Sequence, residues 1–136
     1  MATERKSVTV YGLEHAVSAA RVAAESGVPI FLLSGDGAAA HAGPAWFISL
    51  IEATREHVPE AELEGLLDCD AFGGYALAAL REGLKTVVYD GPANDAVDDI
   101  ARQCGATVMR QRPESLNARS AETAGSLEDG LRDWLA

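Results

Sequence analysis

The sequence predicts an α/β protein built on a parallel sheet, and three observations carry that prediction. Short apolar runs such as Ile30-Phe31-Leu32-Leu33 alternate with segments of helical periodicity, and strands buried on both faces read that way. Gly27, Gly83 and Gly105 each stand between a helical segment and the next apolar run, where a left-handed helix cap is wanted. Leu66-Leu67, Val87-Val88 and Val108-Met109 recur 21 residues apart, as stacked βα units would. The expected architecture is a three-layer, five-stranded, mainly parallel sheet in flavodoxin-like or Rossmann-like order. Half of a (βα)8 barrel is the alternative, because five βα units cannot close a barrel alone.

Taken in order, the strands are expected at 8–11, 28–34, 63–69, 86–90 and 106–110. Between them, Leu13, Val17, Ala20 and Ala24 share one helical face, as do Ala76, Leu77, Leu80 and Leu84, and Ala93, Val97, Ile100 and Cys104. Pro44 and Pro92 follow Gly43 and Gly91, near the first helical position that proline tolerates. Residues 1–112 form the α/β domain on this reading. The stretch 113–125 is polar and aperiodic and reads as a linker or surface loop. Residues 126–136 read as a docking helix: Ser126 suits an N-cap, and Leu127, Leu131, Trp134 and Leu135 line one face.

Composition excludes several functions. The 136 residues suit a single domain long enough to bury roughly two-thirds of its unfolded surface. The formal net charge is −10, and it concentrates in residues 58–105, with ten acids against three bases. Such a surface repels nucleic-acid phosphates and anionic lipid heads. Two cysteines, Cys69 and Cys104, are too few for a disulfide scaffold and match no zinc spacing, so reduced thiols and a cytoplasmic location are expected. Met1 to Ser7 is polar, with no apolar leader core. No apolar run approaches the ~20 residues of a membrane helix.

Candidate site residues follow from position, since ligands bind beyond the carboxyl ends of parallel strands. Asp68 and Asp70 point to one side of their strand, with Cys69 opposite. The two acids form a candidate pair for general-base catalysis or for holding Mg²⁺ through oxygen, although the sequence shows no metal-ligand motif. Cys69 is a candidate nucleophile if a histidine approaches it. Gly35, Asp36, Gly37 and His41 in the Gly/Ala-rich loop 35–43, Gly73 and Gly74 opening the next helix, Asp90, and Arg110 and Arg112 after the last strand are candidate ligand contacts. Glu14 and His15 lie just beyond the first strand on the same edge. Each of these residue types also caps helices and ends strands in any α/β protein.

No motif names a cofactor. Residues 35–40 fit a G-x-G-x-x-A spacing, but Gly43-Pro44 postpones the helix, and Asp68 and Asp70 lie more than thirty residues past Gly35, against the usual ~20. A Walker phosphate loop is excluded by the lack of G-K-[ST]. A phosphoacceptor receiver needs acids after the first strand and a lysine after the fifth. This chain has Tyr11-Gly12-Leu13-Glu14 and Arg110-Gln111-Arg112 there.

Two function classes remain. In one, the strand-end edge binds a small polar or anionic metabolite, with or without Asp-based acid–base or metal-assisted chemistry. In the other, the chain is a non-catalytic homo-oligomeric interaction domain. The segment Trp46-Phe47-Ile48 is apolar nearly all round, so it, or Trp134, is expected to meet a second copy in a dimer.

Overall fold

A computed structural model describes residues 5–136, and the α/β class is what forms. The elements run β1 (Lys6–Thr9), α1 (Leu13–Ser26), β2 (Ile30–Leu33), α2 (Ala38–His57), β3 (Leu63–Asp68) and α3 (Gly73–Arg81). They continue through β4 (Thr86–Val88), α4 (Asn94–Cys104), β5 (Thr107–Met109), β6 (Ser115–Asn117), α5 (Ala118–Thr123) and α6 (Leu127–Leu135). The strand order is β5-β4-β3-β2-β1-β6. The expectations placed on Met1 to Glu4 lie outside the described residues. Among the described residues, no helix is long and apolar enough to cross a membrane.

The strand count and the reading of residues 113–125 are corrected here. The sheet has a sixth strand, Ser115–Asn117, and a short helix after it, both inside the stretch expected to be a linker or surface loop. Of the two strand orders expected, the sheet keeps the Rossmann-like run β3-β2-β1 with a reversal beside β1, rather than the flavodoxin-like one. β1 is flanked by β2 and β6, both parallel to it, so the edge that β3 would occupy in a 2-1-3-4-5 sheet is taken by β6. The return of β6 beside β1 also breaks the strictly sequential order that half of a (βα)8 barrel requires.

The chain divides into two compact units. The first comprises residues up to Leu33, Leu50–Glu64 and Glu114–Ala136. Its strands pair with Val8 opposite Leu32 and Leu116, and Val8, Ile30, Leu32 and Leu33 are fully buried. α1 brings Ala16, Ala19, Ala20 and Ala23 to the core with no exposure, and such small side chains allow close helix packing. α6 packs on α1, burying Leu131 and Leu135. Its start is capped as expected, with Ser126 Oγ accepting the Asp129 N–H at 3.2 Å. Its end is pinned by Trp134, whose indole N–H donates to the Ser7 carbonyl at 2.9 Å. Gly130 is required by packing, because a Cβ there would lie 3.1 Å from Ala121 Cβ.

The second unit comprises Ser34–Ser49 and Gly65–Pro113. β3 and β5 each pair in parallel with β4, and α3 packs on α4. The first part of α2 also departs from expectation. Helix begins at Ala38 and breaks at Gly43, whose φ of 82° and ψ of 160° are non-helical, and Pro44 then opens the second helical stretch. The predicted Gly/Ala loop is therefore largely a short helical turn. Phe47 is fully buried, while Trp46 is 38% exposed.

Candidate functional site

The strand ends of β3, β4 and β5 hold most of the residues that sequence position singled out, and the structure brings six of them together. Ser34 Oγ accepts the Asp68 N–H at 2.8 Å. Asp68 Oδ1 accepts the Asp70 N–H at 2.8 Å, and Asp68 Oδ2 takes Arg112 Nη1 at 2.8 Å. The same Arg112 nitrogen donates to the Ser34 carbonyl at 2.9 Å, and Arg112 Nε meets Asp36 Oδ1 at 2.9 Å. Gly37 closes over Asp70, with a would-be Cβ 3.9 Å from the Asp70 side chain. Asp70 sits at φ 49°, a left-handed conformation that Asp tolerates through local hydrogen bonds. Ser34 Oγ also donates to the Gly35 carbonyl at 3.2 Å, so Gly35, Asp36, Gly37, Asp68, Asp70 and Arg112 gather in one network in which Arg112 pairs the buried Asp68 while Asp36 and Asp70 stay exposed.

The other expected contacts go elsewhere. Arg110 turns to α4, donating to Asp98 at 2.6 Å and to the Tyr89 carbonyl at 3.1 Å. Asp90 accepts from Asn94 at 2.9 Å. His41 is exposed on the short first turn of α2. Gly73 and Gly91 are required by packing. A Cβ on Gly73 would lie 3.0 Å from Ala93 Cβ. One on Gly91 would lie 2.8 Å from the Tyr89 hydroxyl and 3.1 Å from the Ala71 backbone. That hydroxyl is already committed, accepting the Ala93 N–H at 2.9 Å. Gly74 has open space and lines an apolar hollow of about 600 Å³ with Phe72, Tyr75 and Ala78.

Cys69 is fully buried. Burial, and secondarily the negative charge of Asp68, push its thiol from an ordinary 9.0 up to about 12. Such a thiol stays protonated at neutral pH and does not supply the thiolate that a nucleophile requires. Among the described residues, no group of three or more His, Cys, Asp and Glu is placed to hold a metal ion.

A different place has the geometry of a site. The chain steps in one direction from β1 to β5, and β6 then lies on the other side of β1. In open α/β sheets the crevice at such a reversal of strand order is where ligands bind. Here a pocket of about 410 Å³ lies beyond these strand ends, lined by Tyr11 to His15, Arg119 and Glu122. All of these residues belong to the first unit.

Its construction starts from β6. Asn117 caps α5 by accepting the Ser120 N–H at 3.1 Å, and its amide N–H donates to the Tyr11 hydroxyl at 2.8 Å. Tyr11 so held carries the Arg119 guanidinium 3.8 Å above its ring, a stacking distance favourable for a cation on an aromatic face. Arg119 is exposed and has no ion-pair or hydrogen-bond partner for its guanidinium among the described residues. Gly12 is the N-cap of α1 in extended conformation, with no side-chain cap on the first turn, where backbone N–H groups have no intrahelical partner, and Gly12, Leu13 and Glu14 line the pocket.

His15 ties the pocket together. Its Nδ1 accepts the Tyr11 N–H at 3.1 Å, and its Nε2 meets Glu122 Oε1 at 2.8 Å. A ring nitrogen that accepts a backbone N–H carries no proton, so the network assigns the tautomer with the proton on Nε2, donated to Glu122. Both ring nitrogens are occupied. His15 is therefore a strut between the end of β1 and α5, not a free base.

Sequence position had flagged Glu14 and His15, just beyond Tyr11-Gly12, but missed Arg119 and Glu122. The last two lie in the polar stretch after Pro113, whose available signal was slight: a cap residue, Asn117, before Ala118 and Ala121 at helical spacing. No protein-family model and no curated protein matches the chain.

Proposed function

We propose that this protein binds a small anionic metabolite in the pocket beyond β1 and β6. One observation carries the reading. Arg119 is positioned by Tyr11 and Asn117, lines a pocket at the reversal of strand order, and keeps its guanidinium donors unengaged among the described residues. A preset guanidinium fork matches a carboxylate or phosphate, and the uncapped start of α1 adds backbone donors and a favourable dipole. The Asp68–Arg112 pair supports this choice by contrast, since each of its two charges is already engaged by the other. Asp-based chemistry at Asp68 accordingly forms no part of the reading. The two free thiols fit a reducing compartment such as the cytoplasm.

Thermal shift tests it. Saturating citrate, phosphate or short-chain carboxylates should raise the melting temperature by roughly 10 degrees, as expected when a ligand at about 100 times its Kd adds about 2.7 kcal/mol. Arg119→Gln should abolish the shift. No stabilisation by any anion, or an unchanged shift in that variant, sinks the reading.

A second reading is favoured by the exposure of Trp46, Phe72 and Tyr75, at 38%, 46% and 41%. We propose that the Trp46 helix meets a second copy of the chain. Phe47 is buried and the Trp134 indole N–H is engaged within the chain, so Trp46 and the half-buried Ile48 carry that proposal. Light scattering checks it: a monomer across the micromolar range, unaltered by Trp46→Ala, ends it.

A further inference from the structure

We infer that the ligand of the β1–β6 pocket is a small zwitterion of amino-acid type, carrying a carboxylate and an ammonium on one compact frame; this rests on the anion-binding reading above. The pocket wall holds four ionisable side chains, Glu14, His15, Arg119 and Glu122, besides the Tyr11 phenol. His15 and Glu122 are engaged with each other at 2.8 Å. Two groups of opposite sign are left. Arg119 is held over Tyr11 with its donors unengaged. Glu14 is exposed in the first turn of α1, with no ion-pair or hydrogen-bond partner among the described residues.

A simple anion would engage Arg119 and leave Glu14 as a like charge in the same pocket, and like charges brought together in a site oppose binding. A ligand that also carries an ammonium turns that opposition into attraction. Its planar carboxylate fits the guanidinium fork, and its three N–H donors find a carboxylate acceptor in Glu14. The volume of about 410 Å³ lies at the small end of ligand pockets, which span roughly 300–1,000 Å³. That favours a single small metabolite over a nucleotide or peptide.

The experiment is a chemical-shift titration with each of the twenty L-amino acids. The best binder is then compared with its deamino acid and its decarboxylated amine, on the native chain and on Glu14→Gln. Glu14 is exposed and unpartnered, so its replacement leaves the fold intact. The amino acid should bind at least tenfold more tightly than either truncated analogue. Glu14→Gln should lower its affinity to that of the deamino acid, without weakening the deamino acid itself. If the deamino acid binds as tightly as the amino acid, or if Glu14→Gln leaves their ratio unchanged, the zwitterion inference fails and the anion reading stands. It fails in the same way if simple anions bind and no amino acid does. If neither class binds, both fall.

Discussion

Two regions of this molecule place an arginine at the carboxyl ends of parallel strands and use it in opposite ways. After β5, Arg112 is spent on the protein itself, satisfying Asp68, Asp36 and the Ser34 carbonyl. Beside β6, Arg119 is only stacked on Tyr11 and keeps its donors. The difference lies in what neighbours each arginine. The β3 end contributes a carboxylate whose side chain is 6% exposed, and a buried charge must be paired. The β1 end contributes a tyrosine, which orients a guanidinium without consuming its hydrogen bonds. Polar residues at strand ends thus mark a site only when their partners leave them something to offer.

Substitution breaks this contrast most sharply at Arg112. Arg112→Ala strands Asp68 in a buried position and should cost about 3 kcal/mol in urea unfolding, within the range for removing one partner of a buried pair. Adding Asp68→Asn should recover part of the loss, since the uncompensated charge is then gone. The matching change Arg119→Ala should leave the unfolding midpoint nearly unchanged, because an exposed cation–π contact is worth roughly 0.5–1 kcal/mol. Equal costs at the two arginines would erase the distinction.

A smaller effect sits at Cys69. Its folded pKa of about 12 lies above the ordinary 9.0, so the fold favours the protonated thiol. That contribution is fully present below pH 9.0 and is lost as pH rises toward about 12. Between those limits the native chain should lose stability with pH faster than Cys69→Ala, measured by urea unfolding at pH 7.5 and 10.5. At pH 8, a thiol reagent should modify the half-buried Cys104 well before Cys69.

The smallest change sharpens the pocket itself. Gly12 has extended backbone and open space around a would-be Cβ, so serine fits there without strain. Gly12→Ser should cap α1 and stabilise the protein by a few tenths of a kcal/mol, while its hydroxyl competes with an anion for the first-turn N–H groups. A gain in melting temperature with weaker anion binding is the expected pair. Unchanged binding would remove the α1 terminus from the site.

The two regions also differ in how far the sequence exposed them. Asp68, Asp70 and Arg112 stood out because they end long apolar strands, and the structure does bring them together. Nothing in their identities revealed that Arg112 would neutralise Asp68, since that depends on Arg112 reaching across 44 residues to Asp68. The pocket beyond β1 and β6 was harder to see. β6 is three residues long and half-buried, too short for alternation to show. The pairings of Tyr11 with Asn117 and of His15 with Glu122 span 106 and 107 residues, and local pattern is blind to contacts of that range.

By itself, then, the sequence determined the local facts: apolar runs that bury as parallel strands, small residues on α1, and Gly27 and Gly105, which adopt left-handed caps at φ 68° and 67°. It also determined the start of α6 at Ser126. These depend on neighbours within a few residues, where backbone sterics and side-chain periodicity act. Tertiary structure decided that β6 pairs with β1, that the strand order reverses there, and which arginine is left with something to bind. Strand pairing and charge cancellation join residues distant in sequence, and their energies exist only once those residues are folded into contact.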